Sequence, residues 1–299
     1  MYSMEHYRDN LRFCKQYDEI RNFLQIIADN GCNEHFHWGR FHWMMAHPSL
    51  DVEMLPKIAL FRNKSGELVG AVTYDTSFHD RWYILHSVPD ESLLRQMVEY
   101  VTETDAGNAA IKANLNDTAL CRLLENTDFE KQHSERVLKI DLTCDLSFQL
   151  PPGFYLNAPG SEIDIRQWRL VIYRGFGGEG IPEEPGAEAA EAEKHLEIPE
   201  YIKVFAIKDE KYAAHCGVWY SGGDTAYIEP VATVPEHRGK GLGKAVVYEA
   251  VSRAKKQGAK RAVVLSDQEF YFHIGMTKSS EVAAWVKSGR QCGDAENSG

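Results

Sequence analysis

The sequence predicts an α/β protein of two domains, in which hairpin pairs of strands alternate with helices. Three observations predict it: a length of 299 residues, one succession of elements that occurs twice, and a glycine-rich turn joining a strand to a helix. A chain of this length exceeds the usual single domain of about 100–200 residues, so each half can bury its own core.

In the first half, residues 17–30 carry apolar positions at helical spacing. KIALFRNKSGELVGAVTYD (57–75) then reads as two strands around a turn at Asn63–Gly66. RWYIL (81–85) is the next strand, 89–102 a helix, 109–113 a short strand and 117–126 a helix. ERVLKIDL (135–142) closes the half as a final strand. A linker is expected at 146–153, where Pro151, Pro152 and Gly153 interrupt any regular element. This sets domains at 1–145 and 154–290, with a polar, disordered tail at 291–299. The second half repeats the order. VFAIKDEKYAAHCGVWYSGGDTAYIEPVATV (204–234) parallels IALFRNKSGELVGAVTYDTSFHDRWYILHSV (58–88), with Gly217 opposite Gly70 and Tyr227-Ile228 opposite Tyr83-Ile84. Duplication explains this more simply than chance likeness between two strand meanders.

The composition, 43% hydrophobic, 26% charged and 11% aromatic, excludes disordered and fibrous classes. A net charge of −11, from 33 basic against 44 acidic residues, argues against nucleic acid and anionic membranes as partners. A cationic or neutral partner is favoured. The segment MYSMEHYRDNLRF lacks the apolar core of a secretion signal, and no run of about 18 apolar residues could span a bilayer, so the cytoplasm is the expected location. Cys14, Cys32, Cys121, Cys144, Cys216 and Cys292 form no C-x-x-C pair, which fits reduced thiols rather than a disulfide scaffold or zinc site.

The chemistry concentrates in PEHRGKGLGK (235–244), between a strand ending near Val234 and a helix over 242–257. Val246, Val247, Ala250, Val251 and Ala254 recur at helical spacing, and Gly258 is a stop signal. Such a turn aims backbone N–H groups and the positive end of the helix dipole at one spot, which makes an anion site. Gly239, Gly241 and Gly243 let the backbone approach a phosphate without a Cβ in the way. The P-loop pattern fails because Ala245 follows Gly243-Lys244, and the dinucleotide fingerprint fails on the spacing of the third glycine. R-x-x-G-x-G fits, as Arg238, Gly241 and Gly243.

On these residues the chain resembles the GNAT family of acetyl-CoA-dependent N-acetyltransferases. The resemblance implies two GNAT-like domains, each a mixed, mostly antiparallel sheet flanked by helices, with a degenerate N-terminal copy. It implies acetyl-CoA as co-substrate and no metal. Val231 and Thr233 would offer backbone groups to pantetheine, while Arg238, Gly239, Lys240, Gly241, Leu242, Gly243 and Lys244 would hold the diphosphate. After the strand RAVVLSD (261–267), Phe270 to Met276 looks like the family's closing motif, with Tyr271 in the tyrosine position and Met276 in place of a phenylalanine.

An amine attacks only when neutral, so a base must take a proton, and the departing thiolate benefits from a donor. Glu229 is the expected base. A carboxylate after Tyr227-Ile228 on an apolar strand is costly to bury unless it faces a cleft, the other reading being an outward position or an ion pair. Tyr271 is the expected proton donor, and a backbone N–H near Val231 would stabilise the oxyanion. Direct attack by the amine is expected. Cys216 could suggest an acyl-cysteine route but reads rather as a small buried thiol. His237, a neighbour of the loop, reads as solvated. The alternative is a CoA-binding or interaction module without catalysis.

In the first half Leu85 stands where Glu229 would be, VPDESLLRQM (88–97) replaces the glycine loop, and Leu124 stands for Tyr271. That half is expected to bind no pyrophosphate. EHFHWGRFHWMMAH (34–47) places His35, His37, His42 and His47 among aromatics, open to three readings: metal site, aromatic wall of a substrate pocket or interface, or plain core. Residues 175–200 are acidic, with Glu183 and Glu184 among eight glutamates. They form either a negative rim for a cationic small-molecule amine or a solvated helix face.

Overall fold

The computed structural model describes residues 2–8, 10–76, 78–105 and 110–287. The tail expected to be disordered lies outside these residues.

The first half runs β1 (Ser3–His6), α1 (Lys15–Ile27), α2 (Trp38–Ala46), β2 (Ala59–Arg62), β3 (Leu68–Asp75), β4 (Phe78–His86), α3 (Glu91–Thr104), β5 (Ala110–Asn114), α4 (Thr118–Glu125) and β6 (Phe129–Asp141). The second runs β7 (Tyr155–Leu156), α5 (Ile165–Gly175), α6 (Ala187–Glu193), β8 (Tyr201–Lys208), β9 (Lys211–Trp219), β10 (Thr225–Thr233), α7 (Leu242–Gln257), β11 (Arg261–Leu265), α8 (Glu269–His273) and β12 (Thr277–Lys287). The hydrophobic periods place most of these elements. Helix α7 buries Val246, Val247, Ala250, Val251 and Ala254 on one face, and Gly258 ends it at φ 119°.

Among the described residues the strands form one sheet in the order β1-β2-β3-β4-β5-β12-β6-β11-β10-β9-β8-β7. Read from either edge, the order is the same. In each half one parallel pair, β4 with β5 and β10 with β11, interrupts an antiparallel ladder. The segment 146–153 carries neither helix nor strand. The sheet, however, does not divide there: β6 of the first half pairs with β11 of the second, and β12 pairs with β5. The two crossed strands also pair with each other, from Thr277↔Lys139 to Lys287↔Phe129.

Several elements are not placed by the sequence, among them β1, α2, β7, α5 and β12. The apolar run VAAWV at 282–286 was the available sign of β12, whose Val282, Ala283, Trp285 and Val286 are buried. Aromatic residues obscured α2, whose helical period is swamped because Trp38, Phe41, His42, Met44 and Met45 are all buried. Two cores result. One lies behind α7, and the other runs continuously from the first half to Trp168, Tyr201, Trp219 and Tyr227 of the second.

Candidate functional site

The site begins with a flaw in a strand. On β10, Ile228 stands opposite Val218 and Val231 opposite Cys216, so Glu229 and Pro230 share the single partner Gly217. This is a β-bulge. Gly217 permits it, because a Cβ there would lie 2.5 Å from the Glu229 carbonyl oxygen and 2.5 Å from the Tyr201 ring. Trp219 Nε1 donates to that same carbonyl at 2.9 Å. On its other side β10 pairs with β11 only at Thr225–Tyr227, although both strands continue. The strands therefore part into a wedge.

At the mouth of the wedge lies the glycine loop. Gly239 and Gly241 hold φ of 72° and 79°, the left-handed region that disfavours a Cβ. Gly241 is the N-cap of α7, and it has no side chain to bond the first turn. The first helical bond is Ala245 N–H to Gly241 O at 3.1 Å, so the amides of Leu242, Gly243 and Lys244 have no partner within the helix. Free amides and the dipole together make an anion cradle.

Val231, Thr233, Arg238, Gly239, Gly241, Leu242, Gly243 and Lys244 line one cleft of about 1010 Å³, together with His237 and Phe270. Lys240 stands outside that lining; its Nζ donates to Glu236 O at 2.8 Å and meets His237 Nδ1 at 3.1 Å. The Arg238 guanidinium is also engaged, donating to Thr233 O at 3.1 Å and Gly175 O at 2.7 Å. It pins the loop to the end of β10 and to α5. The cradle is therefore mainly backbone, with Arg238 and Lys240 adding positive charge at its edge.

Glu229 projects to the face of β10 that meets the first half. Its Oε1 accepts from Arg40 Nη1 at 3.0 Å, while Oε2 is buried without a hydrogen-bond partner. Burial raises its pKa above the usual carboxylate range; Arg40 pulls it back and Asp75 pushes it up. Tyr271 is buried on α8, and burial raises its hydroxyl, helped by the nearby Cys216 and Glu229. Neither Glu229 nor Tyr271 is among the residues that line the cleft, though Tyr271 lies near enough to Glu229 to feel its charge. Cys216 is fully buried and burial pushes its thiol far up, which leaves little thiolate for an acyl-cysteine.

Sequence reasoning missed Arg40 and Asp75, since neither stands in a recognisable pattern. The aromatic stretch around Arg40 forms a wall between the halves. Trp38 meets Trp219 edge-on at 5.7 Å, His37 stacks on Tyr227 at 5.2 Å, and Trp43 faces Trp168 at 6.0 Å. Gly39 lets α2 come this close, for a Cβ there would overlap the Trp219 ring. Burial lowers His35 and His42 to a pKa of about 4 and His37 to about 3, so all three are neutral. Among the described residues no group of three or more His, Cys, Asp or Glu is placed to hold a metal ion.

Part of the acidic segment meets arginines. Glu184 meets Arg169 at 2.8 Å, Glu188 meets Arg12 at 3.4 Å, Glu200 meets Arg21 at 3.0 Å, and Glu193 also pairs with Arg169. Glu183 lines a second cavity of about 500 Å³, walled by Trp43 and Trp168. No described helix is long and apolar enough to cross a membrane.

Residues 163–275 match the model of the acetyltransferase (GNAT) family. No curated protein matches the chain. Among solved structures, a tandem GNAT protein from the clavulanic acid biosynthesis pathway is similar at a TM-score of 0.59 and 12% identity, over 97% of this chain and 100% of that one. A GCN5-related N-acetyltransferase from Sphaerobacter thermophilus is similar at 0.54 and 14% identity, over 95% and 94%. L-PGS from Bacillus licheniformis is similar at 0.53 and 13% identity, over 96% and 94%. At such identities these three likenesses concern the fold alone.

Proposed function

Since residues 163–275 form a domain of the GNAT acetyltransferase family and the chain takes a tandem GNAT fold, we propose that the protein is an acetyl-CoA-dependent N-acetyltransferase acting on a primary amine. One observation carries the reading: a bulged strand holds a half-satisfied carboxylate two residues before Val231, which lines a cleft floored by uncapped helix amides.

In this reading the Leu242, Gly243 and Lys244 amides hold the diphosphate, and the backbone at Val231 and Thr233 runs along the pantetheine. The cleft of about 1010 Å³ is roomy enough for both. Glu229 accepts a proton from the amine, directly or through one water, at its unpartnered Oε2. The amine nitrogen then bonds to the thioester carbon, and the tetrahedral intermediate collapses with cleavage of the C–S bond. The Tyr271 hydroxyl, kept protonated by burial, supplies the proton to the leaving thiolate, and the proton taken up by Glu229 returns to Tyr271 through water as the products leave. The products are the acetamide and CoA. A raised Glu229 pKa suits this role, because a base works best when its pKa nears the working pH.

Calorimetric titration with acetyl-CoA, followed by thiol release across a panel of primary amines, tests the proposal. One site per chain and release with at least one amine are expected. Binding without release for any amine would favour a non-catalytic CoA module, and two sites would revive the first half as a cofactor domain.

A further inference from the structure

The carboxylate at the centre of the site is held by the other half of the molecule. Arg40, on α2, donates from Nη1 to Glu229 Oε1 at 3.0 Å and to the Tyr227 hydroxyl at 3.3 Å. The rest of its fork faces Asp75 at the end of β3, from Nε at 2.9 Å and from Nη2 in a second bond. A planar guanidinium offers five N–H donors in fixed directions, so two carboxylates on one fork have little freedom to turn. The group is well shielded: the side chains of Arg40, Asp75 and Glu229 are 17%, 6% and 24% exposed.

We propose that Arg40 and Asp75, both from the first half, position the Glu229 carboxylate and set its proton affinity, so that this half is a working part of the active site. The charges show why both are needed. With Glu229 ionised, one cation faces two anions; when Glu229 takes a proton, one cation faces one anion. Arg40 alone would hold Glu229 ionised and make it a poor base. Asp75 occupies part of that positive charge and so leaves Glu229 able to accept a proton.

The other titratable groups around Glu229 are neutral. Tyr227 beside it, Tyr201 on β8, Cys216 on β9, Tyr271 on α8 and Tyr83 on β4 are all pushed up by burial, and His37, stacked on Tyr227, is pushed down to about 3. The net local field is therefore that of Arg40 and Asp75.

The sign follows for each substitution. Arg40→Gln removes the charge that favours the carboxylate, so the Glu229 pKa rises; Asp75→Asn removes a like charge, so it falls. The test is carbon-13 NMR of the full chain labelled at glutamate side-chain carboxyls, with the Glu229 signal assigned by its loss in Glu229→Gln. A rise of about one to three pH units in Arg40→Gln and a fall of about half a unit or more in Asp75→Asn are expected. Residues that served only packing would lower the melting temperature without moving the titration in opposite directions. Should Arg40→Gln fail to fold, Arg40→Lys keeps a cation without the fork and should give a smaller rise, and Asp75→Asn decides the case. An unmoved or upward titration in Asp75→Asn overturns the proposal.

The consequence for rate rests on the transferase reading. There the acid limb of kcat/KM, measured with acetyl-CoA and an amine that releases thiol, should move with the NMR titration. If the titrations shift but Glu229→Gln leaves turnover intact, Glu229 is not the base, yet Arg40 and Asp75 still govern its ionisation.

Discussion

The two halves share one succession of elements and differ where anions and protons would be handled. Both parallel strand pairs are short, at Arg81–Tyr83 with Ala110–Lys112 and at Thr225–Tyr227 with Arg261–Val263. A parting of strands is thus common to the scaffold. In the first half the ladder of β3 and β4 runs unbroken from Gly70↔His86 to Thr73↔Tyr83, with Leu85 opposite Ala71. Its parting is occupied by buried His86, bonded to buried Asp117 at 2.6 Å. Helix α3 begins with Asp90, whose side chain accepts from Leu93 N–H. A carboxylate already caps those amides and repels a second anion. The second half has the bulge at Glu229 and the bare cap at Gly241. A helix start without a side-chain cap leaves its amides to water or to a ligand, and the proposed cofactor reading uses that freedom. The first half contributes a wall, through Arg40, Asp75 and the aromatic face of α2.

Substitutions that make the halves alike should erase this difference in graded steps. Glu229→Gln, which gives the bulge a neutral side chain as Leu85 is neutral, should lower kcat by about 100-fold to 10,000-fold while calorimetric acetyl-CoA affinity stays within twofold. Retention of more than half the wild-type turnover would remove Glu229 from the chemistry. Gly241→Asp transplants the carboxylate cap of α3 onto α7. It forces a Cβ into φ 79°, at about 1–2 kcal/mol, and sets a negative charge in the cradle, so acetyl-CoA should bind about tenfold to a hundredfold more weakly by calorimetry. Equal affinity would show that the α7 amides do not hold the cofactor. Tyr271→Phe removes the hydroxyl absent from Leu124 in the first half, and should cost about tenfold in kcat with affinity preserved. Here the leaving thiolate already tolerates departure unprotonated, so this effect is the smallest of the three. An unchanged kcat would give the proton transfer to water.

Much of this comparison is legible in the amino-acid sequence, for physical reasons that differ by element. A glycine in left-handed backbone, a helical apolar period over 242–257 and a carboxylate in an apolar strand are local signals, and they locate the cradle, α7 and Glu229. The repeated hairpins betray the doubled fold in the same way. Helix α2 escaped because a helix buried on nearly every side has no polar face to set its period. The acidic run around Glu183 and Glu184 is plain in the sequence, but the arginine that meets Glu184 stands fifteen positions away on α5. A charge is counted in a sequence, whereas its partner is not.

The sequence by itself therefore determined the hairpins and most helices, the place of the glycine loop and the residues offered for proton transfer, because each depends on neighbours a few positions away. The tertiary structure alone decided that β6 and β12 cross between the halves and that Arg40 meets Glu229 across 189 positions. Contacts so distant leave no period or spacing along the chain. They exist only because α2 packs through Gly39 against Trp219 and brings its guanidinium to a bulge that another stretch of sequence created.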